Sequence, residues 1–257
     1  MTSKEDSIAI VGVGCKFPGA ENIEEFWNVL KYGENHVKEI PKERWNVDAY
    51  YDPDPSVPGK TYAKTAGLVH GIDEWDHRLY GINDMEAELI DPQQRLVLDC
   101  VHMALEDAGI TKKQIDGTNT AVYIGSMTDD YKSHVLSGKE TGSAYSVTGT
   151  HNSIISARVS YIYNLTGTSI TLDTACSSSL VAIDTASQAI LSGRCSTAIC
   201  GGVNVILDAT LFIALSKAGM LSRTGQCRTF SVEADGYSRG EGCGVVIIKS
   251  LKDVSYH

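Results

Sequence analysis

The feature that most constrains this chain is a strand that runs straight into a helix. Residues 169–173 read as a strand that runs straight into Ala175-Cys176. From Ser177 the periodicity turns helical. Leu180, Ile183, Ala186, Ile190 and Leu191 (with Ala182 beside them) fall on one face, and Gly193 is the stop. Such a unit must lay its helix back across a sheet, so the remaining chain has to supply further strands and helices.

It does so in alternation. Strand-like apolar runs fall at residues 7–14, 120–125, 197–207 and 242–251. Residues 23–30 carry Phe26, Trp27 and Leu30 at helical spacing. Residues 90–108 make the clearest helix, with Asp91 as cap, Pro92 in the first turn and Gly109 as the stop. Its apolar face is Leu96, Leu98, Val101, Ala104 and Leu105. Residues 50–71 are polar, with Pro53, Pro55 and Pro58, and predict a surface excursion. The expectation is α/β: a mixed sheet with helices on both faces, in a single domain over residues 1–257 without linker or repeat. The last strand ends only six residues before His257, which predicts that more chain belongs with this fold.

Composition narrows the partners. A net charge of −10 argues against a surface that neutralises nucleic-acid phosphates or an anionic membrane. The polar start, Met1 to Asp6, leads into an apolar run too short to span a bilayer and without the basic flank of a signal peptide. The cysteines are Cys15, Cys100, Cys176, Cys195, Cys200, Cys227 and Cys243. Their number is odd and no pair has metal or redox spacing, so they read as reduced thiols of a cytoplasmic protein, most of them small buried hydrophobes.

Cys176 is the candidate exception. A helix N-terminus presents unsatisfied N–H groups and partial positive charge, which stabilise a thiolate and can hydrogen-bond an oxyanion formed when it attacks a thioester. Ala175, Ser177, Ser178 and Ser179 are small enough to leave room for an acyl chain. The local pattern alone leaves two readings open: an activated nucleophile, or one more buried thiol beside helix-capping serines.

The segment Asp173-Thr174-Ala175-Cys176-Ser177-Ser178-Ser179-Leu180 resembles the nucleophile signature of β-ketoacyl synthase domains from modular polyketide synthases and animal-type fatty acid synthases. Other segments resemble the family in its own order over about residues 7–251. They are Gly12-Val13-Gly14-Cys15-Lys16-Phe17-Pro18-Gly19, Asp91-Pro92-Gln93-Gln94-Arg95-Leu96 with Ala104 to Gly109, Ser216 to Ser222, Arg228-Thr229-Phe230, and Ala234 to Gly242.

The resemblance implies a thiolase-like fold, of which this chain would be the N-terminal half of a five-layer α-β-α-β-α architecture, with the C-terminal half absent. It implies an acyltransferase of the 3-oxoacyl-[acyl-carrier-protein] synthase type. Cys176 takes an acyl group from an acyl carrier protein, and malonyl on a carrier protein loses carbon dioxide and attacks that thioester. No cofactor is expected on the chain itself; phosphopantetheine belongs to the carrier protein. A homodimer is implied, paired through the strand around residues 170–172. The family's two catalytic histidines, in segments reading roughly Val-Glu-Ala-His-Gly-Thr-Gly-Thr and Lys-Ser-Asn-Ile-Gly-His, have no counterpart among His36, His70, His77, His102, His134, His151 and His257. The chain alone is therefore expected not to complete condensation. The alternatives are a non-catalytic partner subunit, against which the retained Cys176 argues, or an inactive fragment.

Other residues carry blander expectations. His151 matches a segment near the family's active site but not its usual residue, and is not expected to be catalytic. Asp235, Arg239 and Glu241, between glycines, are expected to brace a loop by hydrogen bonds. Gly12-Val13-Gly14 lacks the third glycine of a dinucleotide fingerprint, because position 17 is Phe. Gly201-Gly202 is expected to allow close helix–strand packing rather than to cradle a phosphate.

Overall fold

The structure, a computed structural model, describes residues 7–137 and 143–254, so Met1 to Asp6 and His257 lie outside the described residues. The first elements are β1 (Ile8–Lys16), α1 (Ile23–Tyr32), β2 (Val37–Glu39), β3 (Thr65–Gly67), α2 (Asp84–Ala87), α3 (Pro92–Asp107) and α4 (Lys112–Ile115). There follow β4 (Thr120–Gly125), α5 (Asp130–Ser137), α6 (Ser146–Thr150), α7 (Ser153–Ile162), β5 (Ser169–Leu172) and α8 (Ser178–Leu191). The last are β6 (Thr197–Asn204), α9 (Thr210–Lys217), β7 (Arg239–Gly240) and β8 (Gly242–Ser250).

The main sheet has five strands in the order β1-β8-β6-β4-β5. β4 runs parallel to β5 and β6, whereas β8 is antiparallel to β6 and β1, so the sheet is mixed as expected. A second, small sheet joins β2, β3 and β7. α3 forms where the sequence places it: the Gln93 N–H donates to Asp91 Oδ1 at 2.8 Å, and Gly109 leaves the helix at φ 64°. Leu96, Leu98, Val101, Ala104 and Leu105 are all buried on it. It packs so closely on β1 that a Cβ at Gly14 would lie 2.1 Å from the Cys100 carbonyl oxygen. The paired glycines of β1 serve this approach rather than a nucleotide. α7 lies with α3 on that face of the sheet, and α8 covers the other, where Ala182, Ala186, Ala189 and Ile190 are buried.

Three expectations change. The buried face of α8 is built on alanines, and Leu180 is 70% exposed with Leu191 also outside. The helix lies too close to the sheet for leucine on its inner side. α1 forms, but none of its residues is fully buried; Phe26 packs against Phe17 with ring centroids 4.6 Å apart and the rings tilted, while Trp27 and Leu30 stay exposed. Residues 50–71 are not all surface. Past the prolines the chain turns inward, burying Tyr62, Ala63, Ala66 and Val69 with β3 in their midst.

Candidate active site

β4, β5 and β6 are parallel and end on one edge of the sheet, at Gly125, Leu172 and Asn204. Carboxyl ends of parallel strands are where α/β folds place their ligands. Between β5 and α8 the chain makes a tight, fully braced turn. The Ala175 N–H donates to Asp173 Oδ1 at 2.8 Å, and the Thr174 N–H donates to Ser178 Oγ at 2.8 Å. The Ser178 hydroxyl donates to the Ala175 carbonyl at 2.6 Å, and the Ser177 hydroxyl to that of Thr174 at 2.7 Å. Ala175 sits in the left-handed region at φ 57°, which costs a residue with a Cβ about 1–2 kcal/mol. The surrounding hydrogen bonds hold it there.

The result is an elbow that presents Cys176 to the outside, one residue before Ser177, the N-cap of α8. The Ser177 side chain makes no capping bond to the helix. The Ser178 N–H donates to the Ala175 carbonyl at 3.1 Å, and the positive end of the helix dipole lies next to the sulfur. The helix start is pressed onto the sheet: a Cβ at Gly125 would lie 2.7 Å from Ser178, and one at Gly202 2.8 Å from Ser179 Cβ. Gly202 thus does what its sequence context suggests, and in doing so sets the position of Cys176.

Cys176 opens on a cavity of about 530 Å³. Its lining includes the apolar Met127, Ile183, Leu211 and Leu215 and the consecutive residues Tyr237, Ser238 and Arg239. Of the seven cysteines, Cys176 and Cys227 are exposed and five are buried. Burial pushes Cys15 up to about 11, with Cys100 adding to it, and Cys200 up to about 12, so these thiols stay protonated at neutral pH. Cys195 and Cys243 are raised by burial as well. Cys200 also borders the cavity, but its Sγ points to the Val246 carbonyl at 3.8 Å. Cys227 Sγ accepts from the Ser238 N–H at 3.4 Å and does not line the cavity.

The other candidates separate. His151 is exposed at the end of α6 and does not line the cavity, nor does any other described histidine. His36, His77, His102 and His134 lie against Glu34, Asp84, Glu106 and Asp208 instead. Asp235, Arg239 and Glu241 do not form one network. Asp235 accepts from the Ser222 hydroxyl and the Arg223 N–H at the surface, which holds its carboxyl below the usual range. Glu241 is fully buried and gathers both Arg44 Nη atoms (2.6 and 3.0 Å) with the N–H groups of Val69 and Ile206 (2.9 and 2.8 Å). Arg239 is buried with its guanidinium 4.8 Å from the Phe212 ring centroid. Among the described residues no three His, Cys, Asp or Glu side chains gather as a metal site, and no helix is long and apolar enough to cross a membrane.

Sequence reasoning singled out Cys176 but not the residues around it. Met127 and Asn204 carry no motif of their own. Their signal is positional: Met127 lies just past the carboxyl end of β4, which neighbours β5, and Asn204 ends β6, the next parallel strand.

Comparison with known proteins agrees with this geometry. The profile of the family "Beta-ketoacyl synthase, N-terminal domain" matches residues 5–254. A phenolphthiocerol/phthiocerol polyketide synthase from Mycobacterium tuberculosis is 41% identical over 249 residues, covering 96% of this chain and 16% of that protein. Polyketide synthase GfsB from Streptomyces halstedii is 39% identical over 251 residues, covering 97% of this chain and 4% of that one. Among solved structures, the oxazolomycin ketosynthase domain from Streptomyces albus superposes with a TM-score of 0.90 at 39% identity, covering 95% of this chain and 44% of that one. The ketosynthase from module 6 of the bacillaene synthase of Bacillus subtilis gives 0.84 at 38%, covering 96% and 40%. The chain therefore spans less than half of the solved ketosynthases and a small part of the curated relatives.

Proposed function

The chain belongs to the β-ketoacyl synthase family, with the thiolase-like fold and with polyketide synthases as its relatives, and on that premise we propose that Cys176 is its acyl-accepting nucleophile. The observation that carries this reading is the exposed thiol on a braced elbow, at a helix N-terminus, facing an apolar-walled cavity of about 530 Å³. The thiolate attacks the carbonyl of an acyl thioester carried on the phosphopantetheine of an acyl carrier protein. Oxyanion charge develops beside the first turn of α8, where helix N–H groups and the dipole favour it. The carrier sulfur leaves as a thiolate and takes back from solvent the proton that Cys176 gave up, and the acyl group stays on Cys176 with its chain along Met127, Ile183, Leu211 and Leu215.

The second stage is decarboxylative condensation with malonyl on a carrier protein. We assign it to the whole ketosynthase, because the two histidine segments that the family uses for it do not occur in this sequence. The chain, as a single domain over residues 1–257, would then be the N-terminal half of that enzyme. Homodimerisation through β5 is part of the same proposal. β5 is the edge strand of the sheet, and Ile170 on it is 42% exposed. Exposed Phe230, Val232 and Leu180 fit a face made to be covered by the second half. The reduced thiols suit the cytoplasm.

The test is acyl transfer. Incubation with an acyl-carrier-protein thioester, followed by peptide mass spectrometry, should place the acyl group on Cys176, and Cys176→Ala should abolish it. An adduct on another residue, or none in a folded wild-type sample, would reject the reading.

A further inference from the structure

The segment Asp91-Pro92-Gln93-Gln94 takes no part in the proposed acyl transfer, yet both of its glutamines are buried, Gln93 at 2% exposure and Gln94 at 1%. They reach different neighbours. Gln94 turns to α6 and α7: its amide donates to the Thr148 and Gly149 carbonyls at 3.1 and 3.0 Å, and its Oε1 accepts from Arg158 Nε at 2.6 Å. Gln93 turns to the segment that follows β4. Its amide donates to the Thr128 carbonyl at 3.0 Å, and its Oε1 accepts from the hydroxyls of Ser126 and Thr128 at 3.3 and 3.2 Å.

Ser126 and Thr128 are buried, whereas Met127 between them is 41% exposed and lines the same cavity as Cys176. Gln93 therefore grips the residues on both sides of a cavity-lining methionine without lining the cavity itself. Its own platform is fixed. It lies in the first turn of α3, where the Asp91 N–H donates to the Gly149 carbonyl at 2.8 Å and Leu96, Val97 and Leu98 are buried in the core. The gripped segment is tied onward as well. The Ser126 N–H donates at 3.0 Å to the carbonyl of Leu172, the last residue of β5 before the elbow. The Thr128 hydroxyl also lies 3.2 Å from Oδ1 of Asn204, the end of β6.

We infer that Gln93 is a positioning residue for the acyl site: it sets Met127, and through it how strongly the cavity prefers a long apolar chain on Cys176 over a short one. This rests on the reading of the cavity as the acyl site and goes beyond it by naming what tunes the fit. Without the Gln93 amide, the Ser126 hydroxyl and the Thr128 carbonyl lose this partner, a cost that the segment relieves by moving. Met127 moves with it, and a lining that shifts by a fraction of an ångström forfeits contact with the chain. A supporting side chain of this kind decides how closely a site fits its ligand.

The experiment labels the thiols with iodoacetamide and, separately, with N-hexyl-iodoacetamide. Peptide mass spectrometry gives the ratio of hexyl to plain rates at Cys176 and, as control, at Cys227, which is exposed but does not line the cavity. The ratio needs only an exposed thiol, so it reads the cavity whether or not Cys176 takes acyl groups. Any change in the thiol itself divides out, since both reagents meet the same sulfur. In wild type the ratio at Cys176 should exceed that at Cys227 by about fivefold or more. Gln93→Met should cut this preference by about threefold or more, and the milder Thr128→Val by about twofold. Met127→Ala should cut it too, and adding Gln93→Met to Met127→Ala should then change it by less than about 1.5-fold, because the positioned side chain is gone. Circular dichroism checks folding; should Gln93→Met not fold, Thr128→Val alone and with Met127→Ala decides. No preference in wild type, a preference unchanged by Gln93→Met or by Thr128→Val, or an effect of either that persists in full without Met127 would overturn the inference. Failure of the nucleophile reading shows separately, as absence of a Cys176 acyl adduct in the transfer assay.

Discussion

Replacing Glu241 by Gln changes one atom of a buried side chain that braces four groups. The carboxylate is fully buried and accepts four hydrogen bonds, two from Arg44 and one each from the N–H groups of Val69 and Ile206. An amide nitrogen in place of one oxygen turns an acceptor into a donor, facing N–H groups that cannot accept. It also leaves the Arg44 guanidinium, 15% exposed, without a counter-charge. Removing one partner of a buried ion pair costs ~3–5 kcal/mol. For a domain of this size that is a fall in Tm of roughly 6–20 °C, at about 2–4 °C per kcal/mol. Calorimetric melting of Glu241→Gln, Arg44→Met and the double variant measures it. The double variant should recover part of the loss, because no lone charge remains. It should not recover all of it, since one of the Val69 and Ile206 amides stays unpaired at about 1–3 kcal/mol. A single-variant loss below about 1 kcal/mol would refute the view of Glu241 as the bracket joining residue 44, residues 67–69, residue 206 and β7 beside the cavity.

Asp91 is buried at the start of α3, and burial pushes its carboxyl up to about 6 despite the hydrogen bonds from Gln93. Because the folded carboxyl holds its proton more tightly than the unfolded one, its contribution to stability is fully present below about pH 4 and is lost as pH rises through about 6. Asp91→Asn keeps a capping oxygen and should raise stability at pH 7.5 by up to ~3 kcal/mol but leave it unchanged at pH 4, as read from urea midpoints; an equal effect at both pH values would contradict the assignment. Gly202→Ala would put a Cβ 2.8 Å from Ser179 Cβ. It should cost about 1–3 kcal/mol and slow thioester transfer to Cys176, because the start of α8 must shift. Unchanged melting and transfer would show that the helix has room. His151→Ala should leave transfer to Cys176 within about twofold, as befits an exposed side chain outside the cavity; a larger loss would return His151 to the site.

Where the sequence carries a strong period and clear end signals, it is a sufficient guide. α3 follows from Asp91, Pro92 and Gly109, and the strand at residues 120–125 is found at those bounds. The elbow too is legible, because strand and helix abut with only small residues between them. What is not legible depends on distance between elements. Leu180 reads as core by period, but α8 lies against Gly125 and Gly202, so its inner face takes alanine. The inward turn at Tyr62 to Val69 is set by contacts with Leu221, Phe212 and Glu241, far along the chain. Glu241 and Arg239 sit two residues apart in one motif, yet one is saturated with partners and the other has a free Nη1. Only the fold distinguishes them.

The central claim is that Cys176 is set apart from the other thiols by its place on the elbow, and alkylation kinetics test it most directly. Wild-type protein is treated with limiting iodoacetamide at pH 7, and adducts at each cysteine are followed in time by peptide mass spectrometry. Cys227 is the internal control, being the other exposed thiol. Cys176 should react about tenfold faster than Cys227, a difference of ~1.4 kcal/mol within reach of a helix N-terminus, while the buried Cys15, Cys100, Cys195, Cys200 and Cys243 stay unmodified. Equal rates at Cys176 and Cys227, or a faster Cys227, would contradict it.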